Sequence, residues 1–108
     1  MRFVFSVLIA ALILMQSAPA EDWVIQTVDN EGNAGTDTYA WFDSTGAPNV
    51  IYKRNAELRH SWLTDAGWLS QQIDEATSGI DAVVDSQFNP HVVFRYGSVT
   101  RYGYRDET

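Results

Sequence analysis

Residues 43–52 read DSTGAPNVIY and residues 85–94 read DSQFNPHVVF. Both decapeptides begin Asp-Ser, place Pro sixth and Val eighth, and end in an aromatic side chain. Asp opening a tight turn, Gly at the fourth position of the first copy and Pro leading onward are the preferences of a type I turn followed by a strand start. The phrase therefore reads as scaffold, and its repetition counts structural units.

The repeat extends well beyond these ten residues. Sliding the chain against itself by 42 residues pairs Ala40 with Ala82, Asp43 with Asp85, Pro48 with Pro90, Val50 with Val92 and Arg59 with Arg101, while Tyr52 meets Phe94 and Trp62 meets Tyr104. Upstream the offset becomes 45, pairing Trp23 with Trp68, Gln26 with Gln71, Val28 with Ile73 and Asp29 with Asp74. The three-residue difference falls in the loops DNEGNAGTD and DEATSG, where length changes cost least.

Within each repeat, short runs rich in Val, Ile, Tyr, Phe and Trp alternate with turn clusters, and almost no helical period is present. That is the signal of an antiparallel all-β chain. Strands are expected at Trp23–Val28, Thr38–Asp43, Asn49–Arg54, Leu58–Leu63, Trp68–Ile73, Ile80–Asp85, His91–Tyr96 and Val99–Arg105. The breaks between them hold most of the Gly, Pro, Asn and Asp. Four short strands in a period of 42 to 45 residues are the dimensions of a β-propeller blade. The expected fold is thus all-β, two four-stranded antiparallel propeller blades at about 38–73 and 80–105, with strand 23–28 added. An eight-stranded up-and-down barrel or a small sandwich is the alternative.

The blades resemble those of secreted bacterial β-propeller repeat proteins, in which a Trp-led strand ending in (Thr/Gln)-(Val/Ile)-Asp precedes an apolar strand, an Asp-Ser-x-Gly-x-Pro-His turn and a (Val/Ile)-x-(Tyr/Phe) strand. The matching residues are Trp23 to Asp29, Asp43 to Tyr52, Trp68 to Asp74 and Asp85 to Phe94. Asn49 stands where the second copy has His91, and Phe88 where the first has Gly46. The sialidase-type Asp-box is matched by neither copy. The resemblance implies a ring of blades. Propellers close with about four to eight, so two blades imply either further blades in a longer protein or self-association, a trimer giving six as in small two-blade lectins. Strand 23–28 is then expected to complete the second blade of a neighbouring chain, since that blade lacks an outer strand of its own.

The first twenty residues, MRFVFSVLIAALILMQSAPA, carry one basic residue, an apolar run from Phe3 to Met15 interrupted at Ser6 alone, and small residues at Ala18 and Ala20. That layout is a secretory signal peptide, and the run is shorter than the ~20 residues of a spanning helix. A secreted or periplasmic location follows, with 21–108 as the mature chain and no membrane contact after cleavage. All 14 acidic residues but only six of the seven basic ones lie in it, which disfavours nucleic acid as a partner. There is no Cys, so packing rather than disulfides must hold the domain.

Aromatic planes suit the apolar face of a pyranose, which makes Trp41, Trp62, Tyr102 and Tyr104 candidates for a glycan ligand. Arg59 and Arg101 recur at equivalent positions and could hold carboxylates bidentately. Strand packing between blades and inter-blade ion pairs are the structural explanations of the same residues. The Arg, Glu and Trp constellation of fucose-binding lectins is not reproduced, Arg59 standing near the place of the acid. Propeller ligand sites usually lie away from the repeated turn, which directs attention to Asp29–Asp37, Lys53–Glu57, Glu75–Gly79 and Tyr96–Ser98.

His60 and His91 fall on different strands without a third ligand nearby, so no metal is expected. Asp29, Glu31 and Asn33 alternate as in a calcium loop, but Ala34 stands where such a loop needs Gly. No nucleophile elbow, phosphate loop or dinucleotide glycine pattern is present, and no cofactor is implied. The expected function is a secreted, non-catalytic binding or interaction module. The alternative is part of a sialidase-like or other glycoside-active propeller.

Overall fold

The computed structural model of the chain describes residues 22–106, so the expected signal peptide, residues 1–20, lies outside the described residues. Seven strands follow one another: β1 (Ala34–Phe42), β2 (Pro48–Arg54), β3 (Glu57–Thr64), β4 (Gly67–Glu75), β5 (Ser78–Val84), β6 (Pro90–Tyr96) and β7 (Val99–Tyr104). They form a four-stranded sheet, β1-β2-β3-β4, and a three-stranded sheet, β5-β6-β7, all neighbours antiparallel. The chain is all-β, and its strands make two open meanders rather than one closed ring of eight.

The seven strands coincide with seven of the eight expected. The exception is 23–28, which has no ladder partner among the described residues. β1 also begins earlier than expected, at Ala34 instead of Thr38, inside the loop DNEGNAGTD. Its ladder with β2 slips twice before Tyr39, and Gly35 and Asp37 there hold φ of 108° and 54°. Bulges of this kind let turn-forming residues ride in the end of a ladder.

The repeated turn is built twice in the same way. Gly46 N–H donates to Asp43 O at 3.0 Å, and Phe88 N–H donates to Asp85 O at 3.1 Å. Each Asp side chain then accepts from two further amides, Thr45 and Ala47 in the first turn, Gln87 and Asn89 in the second. This use of Asp is an Asx-type brace that fixes where the next strand starts.

Ile51, Leu58, Ala76, Ala82, Val92 and Phe94 form the buried core, with Tyr39, Trp41 and Ile80 packed against it. Because side chains alternate across a strand, the first sheet offers one face to this core, that of Tyr39, Trp41, Ile51, Leu58 and His60. The second offers the opposite face of its own repeat, that of Ala82, Val92 and Phe94. The two sheets therefore stack face on back rather than face on face. The short link between them is pinned by Ala76 N–H to Ala56 O at 2.9 Å and Thr77 N–H to Arg95 O at 2.8 Å.

The turn supplies a test of the repeat. Phe88 has φ 65° at the position where Gly46 has 84°, and its ring is half exposed. A side chain in this left-handed region costs about 1–2 kcal/mol. Phe88→Gly should therefore raise the urea midpoint, whereas Gly46→Ala, with open space around the added Cβ, should lower it by a cost of backbone origin alone.

Candidate functional site

A cleft of about 320 Å³ opens between the sheets, with Ile51, His60, Gln71 and Gln72 on its first wall and Val92, Gly103 and Arg105 on its second. His60 is the organising residue of the first wall. It pairs across the ladder with Ile51, and Trp62 pairs with Asn49, which in turn pairs with Trp41. That register places three rings in a stack: Trp41 to His60 at 5.5 Å between centroids and 13° between planes, His60 to Trp62 at 5.0 Å and 27°.

Hydrogen bonds fix the imidazole. Nε2 lies 2.7 Å from Asn49 Oδ1, and Nδ1 lies 3.4 Å from the Arg105 guanidinium. An amide oxygen can only accept and a guanidinium can only donate, so this network assigns the proton to Nε2 and leaves His60 neutral. Asn49 passes the chain on, donating to Asp43 Oδ2 at 2.9 Å and to Ala47 O at 3.0 Å. Turn, buried amide, imidazole and cleft wall are thus one connected polar system with a stacked aromatic body. Burial, then the positive charge of Arg105, push the His60 pKa down from 6.5 to about 4, against a smaller upward pull from Asp43.

The second sheet carries a related but different cluster. His91 replaces Asn49 and lies 2.8 Å from Asp85 Oδ2, with its other nitrogen bonded to the Tyr102 hydroxyl. His91, Tyr102 and Tyr104 stack pairwise at 5.9 to 6.0 Å. The His91 hydrogen bond, followed by the Asn89 backbone amide, holds the Asp85 carboxyl below its usual range. Tyr102 and Tyr104 are exposed, whereas Trp41 and Trp62 are half-buried.

The six sequence candidates are therefore not one site. Trp41 and Trp62 flank His60 in the first sheet, and Tyr102 and Tyr104 flank His91 in the second. Arg59 lies on the other face of β3, donating to Glu57 at 2.7 Å and to Ser70 at 3.0 Å. Arg101 joins the sheets by donating to Asp74 at 2.9 Å, with its guanidinium 5.1 Å from the Tyr96 ring centre. The residues that organise both clusters, His60 and Asn49 in one and His91 and Asp85 in the other, were not among the candidates. Their signal was the shared spacing from Asp43 to Asn49 and from Asp85 to His91.

The loops at the far end of the strands are consumed by structure. Asp29 accepts from the Tyr52 hydroxyl at 2.6 Å and from Arg54 at 3.1 Å, and Arg54 also meets Glu31 at 2.9 Å and Glu57 at 3.5 Å. Burial would raise the Asp29 pKa, but the Tyr52 hydroxyl, the Glu31 amide and Arg54 outweigh it and hold the carboxyl down. These acids are committed to an arginine rather than arranged around a cation. Among the described residues no three His, Asp or Glu side chains gather as a metal site.

The cleft histidine has a consequence for stability. Its pKa is lowered on folding, so the unfolded chain binds a proton before the folded one does between 6.5 and about 4. Stability then falls as pH drops through that window and is unaffected by this group above it. The melting temperature should begin to decline just below pH 6.5, before carboxylate protonation contributes, and His60→Gln should flatten that upper part of the profile.

Comparison with protein-family models, curated proteins and solved structures found no match to the chain.

Proposed function

We propose that the chain is a secreted, non-catalytic binding module built of two β-propeller blades, and that its inter-sheet cleft takes a sugar ring. The blade reading is supported by the sequential meander order of both sheets, by their face-on-back stacking and by the repeat that relates them strand for strand. A Greek-key sandwich would connect strands across sheets instead. The second sheet has three strands because the fourth of its kind in the sequence, 23–28, precedes the first sheet.

The observation that carries the binding reading is the make-up of the cleft. His60, the middle ring of the Trp41–His60–Trp62 stack, stands in one wall, while Gln71, Gln72 and Arg105 supply amide and guanidinium groups beside it. Aromatic bodies with a few placed polar groups are how small-ligand sites combine affinity with orientation. No residue lining the cleft carries a carboxylate. Glycoside hydrolysis uses two positioned acids, so the same lining favours binding over a sialidase-like reaction.

A glycan array probed with the purified protein, run beside a panel of chromogenic glycosides, separates the two. Binding without turnover is expected. Gln71→Ala, which removes a cleft-lining amide, should weaken the best glycan about tenfold or more, an effect of about 1.4 kcal/mol, while Arg59→Ala, on the opposite face of the sheet, should leave it unchanged. Turnover of any glycoside would sink the binding-only reading.

A further inference from the structure

We propose that residues 23–28 of one copy form the missing fourth strand of the second sheet of another copy, pairing with β7 so that Ile25 sits over Gly103 against Phe94. This rests on the blade reading above and adds to it a partner, a register and a set of contacts.

The first argument is a correlated replacement. In the first sheet the Tyr52 hydroxyl lies 2.9 Å from Ser61 Oγ and 3.0 Å from Ser70 Oγ, a polar trio on β2, β3 and β4. The repeat puts Phe94 in place of Tyr52, Gly103 in place of Ser61 and Ile25 in place of Ser70. All three polar members become apolar or small together. Phe94 has lost the hydroxyl, Gly103 leaves room, and Ile25 has the bulk to fill it. A free N-terminal segment has no reason to vary in step with a buried site on another sheet; a strand that pairs there does.

The register follows from the first sheet, where Ser61 faces Ser70, His60 faces Gln71 and Arg59 faces Gln72. Shifted by the repeat, Gly103 faces Ile25, Tyr102 faces Gln26 and Arg101 faces Thr27. The receiving place is open, since Gly103 lines the cleft and β7 has a ladder partner on one side alone. The donor is open as well, for Trp23, Val24 and Ile25 are exposed in a row, Ile25 at 90%.

The second argument is the seat of the segment. At the sheet junction inside the chain, the end of β4 sends Asp74 to Arg101, and the Tyr96 hydroxyl bonds to Glu75. At the start of the chain, Asp29, the repeat of Asp74, goes to Arg54, the repeat of Tyr96. Segment 23–29 thus meets the first sheet at the end where β4 meets the second, with Asp29 bonded to Arg54 rather than to Arg59, the repeat of Arg101. It arrives on the Tyr52 face, where Gln26 also accepts from the Trp68 indole at 3.0 Å. The chain's own second sheet packs on the opposite face, so the sheet this segment completes belongs to another copy.

The third argument is that the same copy covers a bare surface. Ile51 and His60, buried under the second sheet at 2% and 3% exposure, have as repeats Val93 and Tyr102, exposed at 42% and 60%. Conversely Ala82, buried by the first sheet at 4%, repeats Ala40, which is exposed, although Tyr52 and Ser61 on the same face are already buried at 2% and 0%, with Asp29 of the chain's own 23–29 segment bonded to Tyr52. One head-to-tail contact covers both surfaces and supplies the fourth strand. Such a heterologous contact closes into a ring when its rotation allows, and four to eight blades in pairs mean two, three or four copies.

The chain has no cysteine, so a pair placed at Ile25→Cys and Gly103→Cys reads the contact directly. Facing strand partners lie within the Cα separation of about 4.4–6.8 Å that a disulfide spans. Oxidation of the full exported chain carrying both substitutions should give disulfide-linked multimers on a non-reducing gel, with neither single variant doing so. The unsubstituted chain should sediment as two to four copies, and Ile25→Asp should bring that mass down to one. A cross-link confined within one chain, no cross-link at all, or a monomeric unsubstituted chain would each overturn the proposal. Ile25 seated beside Gly103 takes up part of the second wall of the cleft and leaves a sugar the end formed by Gln71, Gln72 and Arg105; the cross-link is read on a gel and the glycan on an array, so the two readings fail separately.

Discussion

A β-sheet with apolar side chains on both faces is stable in water only when both are covered, and everything else in this molecule depends on how that demand is met. The first sheet covers its Ile51 and Leu58 face with Ala82, Val92 and Phe94 of the second. Burying one such side chain is worth roughly 1.5–3 kcal/mol, and without a disulfide this contact is the main tie between the sheets. Because the sheets stack face on back, however, the contact does not close on itself. Each new sheet covers one surface and presents another of the same design. Repeat proteins share this open-ended property, and they end it with a cap or a ring.

The acidic character of the chain is reconciled with close packing by concentrating its few cations. Arg54 alone meets Asp29, Glu31 and Glu57, and Arg101 bridges from β7 to Asp74. Both arginines sit where one repeat hands over to the next. They hold the junctions at a fixed geometry while the apolar faces supply the energy, a division of labour that follows from the small net worth of partly exposed ion pairs. The same division explains why those loops, which the sequence offered as ligand sites, have little left to offer a ligand.

Strand positions were legible because the turn chemistry was written twice. Asp43 and Asp85 each brace a turn with two amide bonds, and any strand between two such turns is bounded closely. What was not legible was pairing. Trp23–Val28 has the composition of β4 and yet forms no ladder here, because a strand is made by its neighbour as much as by its own residues. The bulged start of β1 was hidden for the opposite reason, since Gly35 and Asp37 have turn preferences that the partner strand overrides. The aromatic candidates were recognised as residues, but their grouping depended on Asn49 and His91, and neither lies near its ring partners in sequence. Only the ladder register, which places Asn49 opposite Trp62 and His91 opposite Tyr104, brings them together.

The two copies differ most at the cleft, and that difference has a chemical consequence in any assembly made of them. The cleft within the chain is walled by His60 with Gln71 and Gln72 on one side and by Gly103 and Arg105 on the other. A cleft between copies would place the repeats of these residues in the same positions: Tyr102 for His60, Gln26 and Thr27 for Gln71 and Gln72, Ser61 for Gly103 and Leu63 for Arg105. The guanidinium and the neutral imidazole would both be missing from it. Successive clefts around a ring would then alternate in chemistry although the backbone repeats, and a ligand that needs the Arg105 charge would occupy one cleft per chain instead of two. The repeat supplies the frame, and departures from it at these few positions decide where a ligand is held.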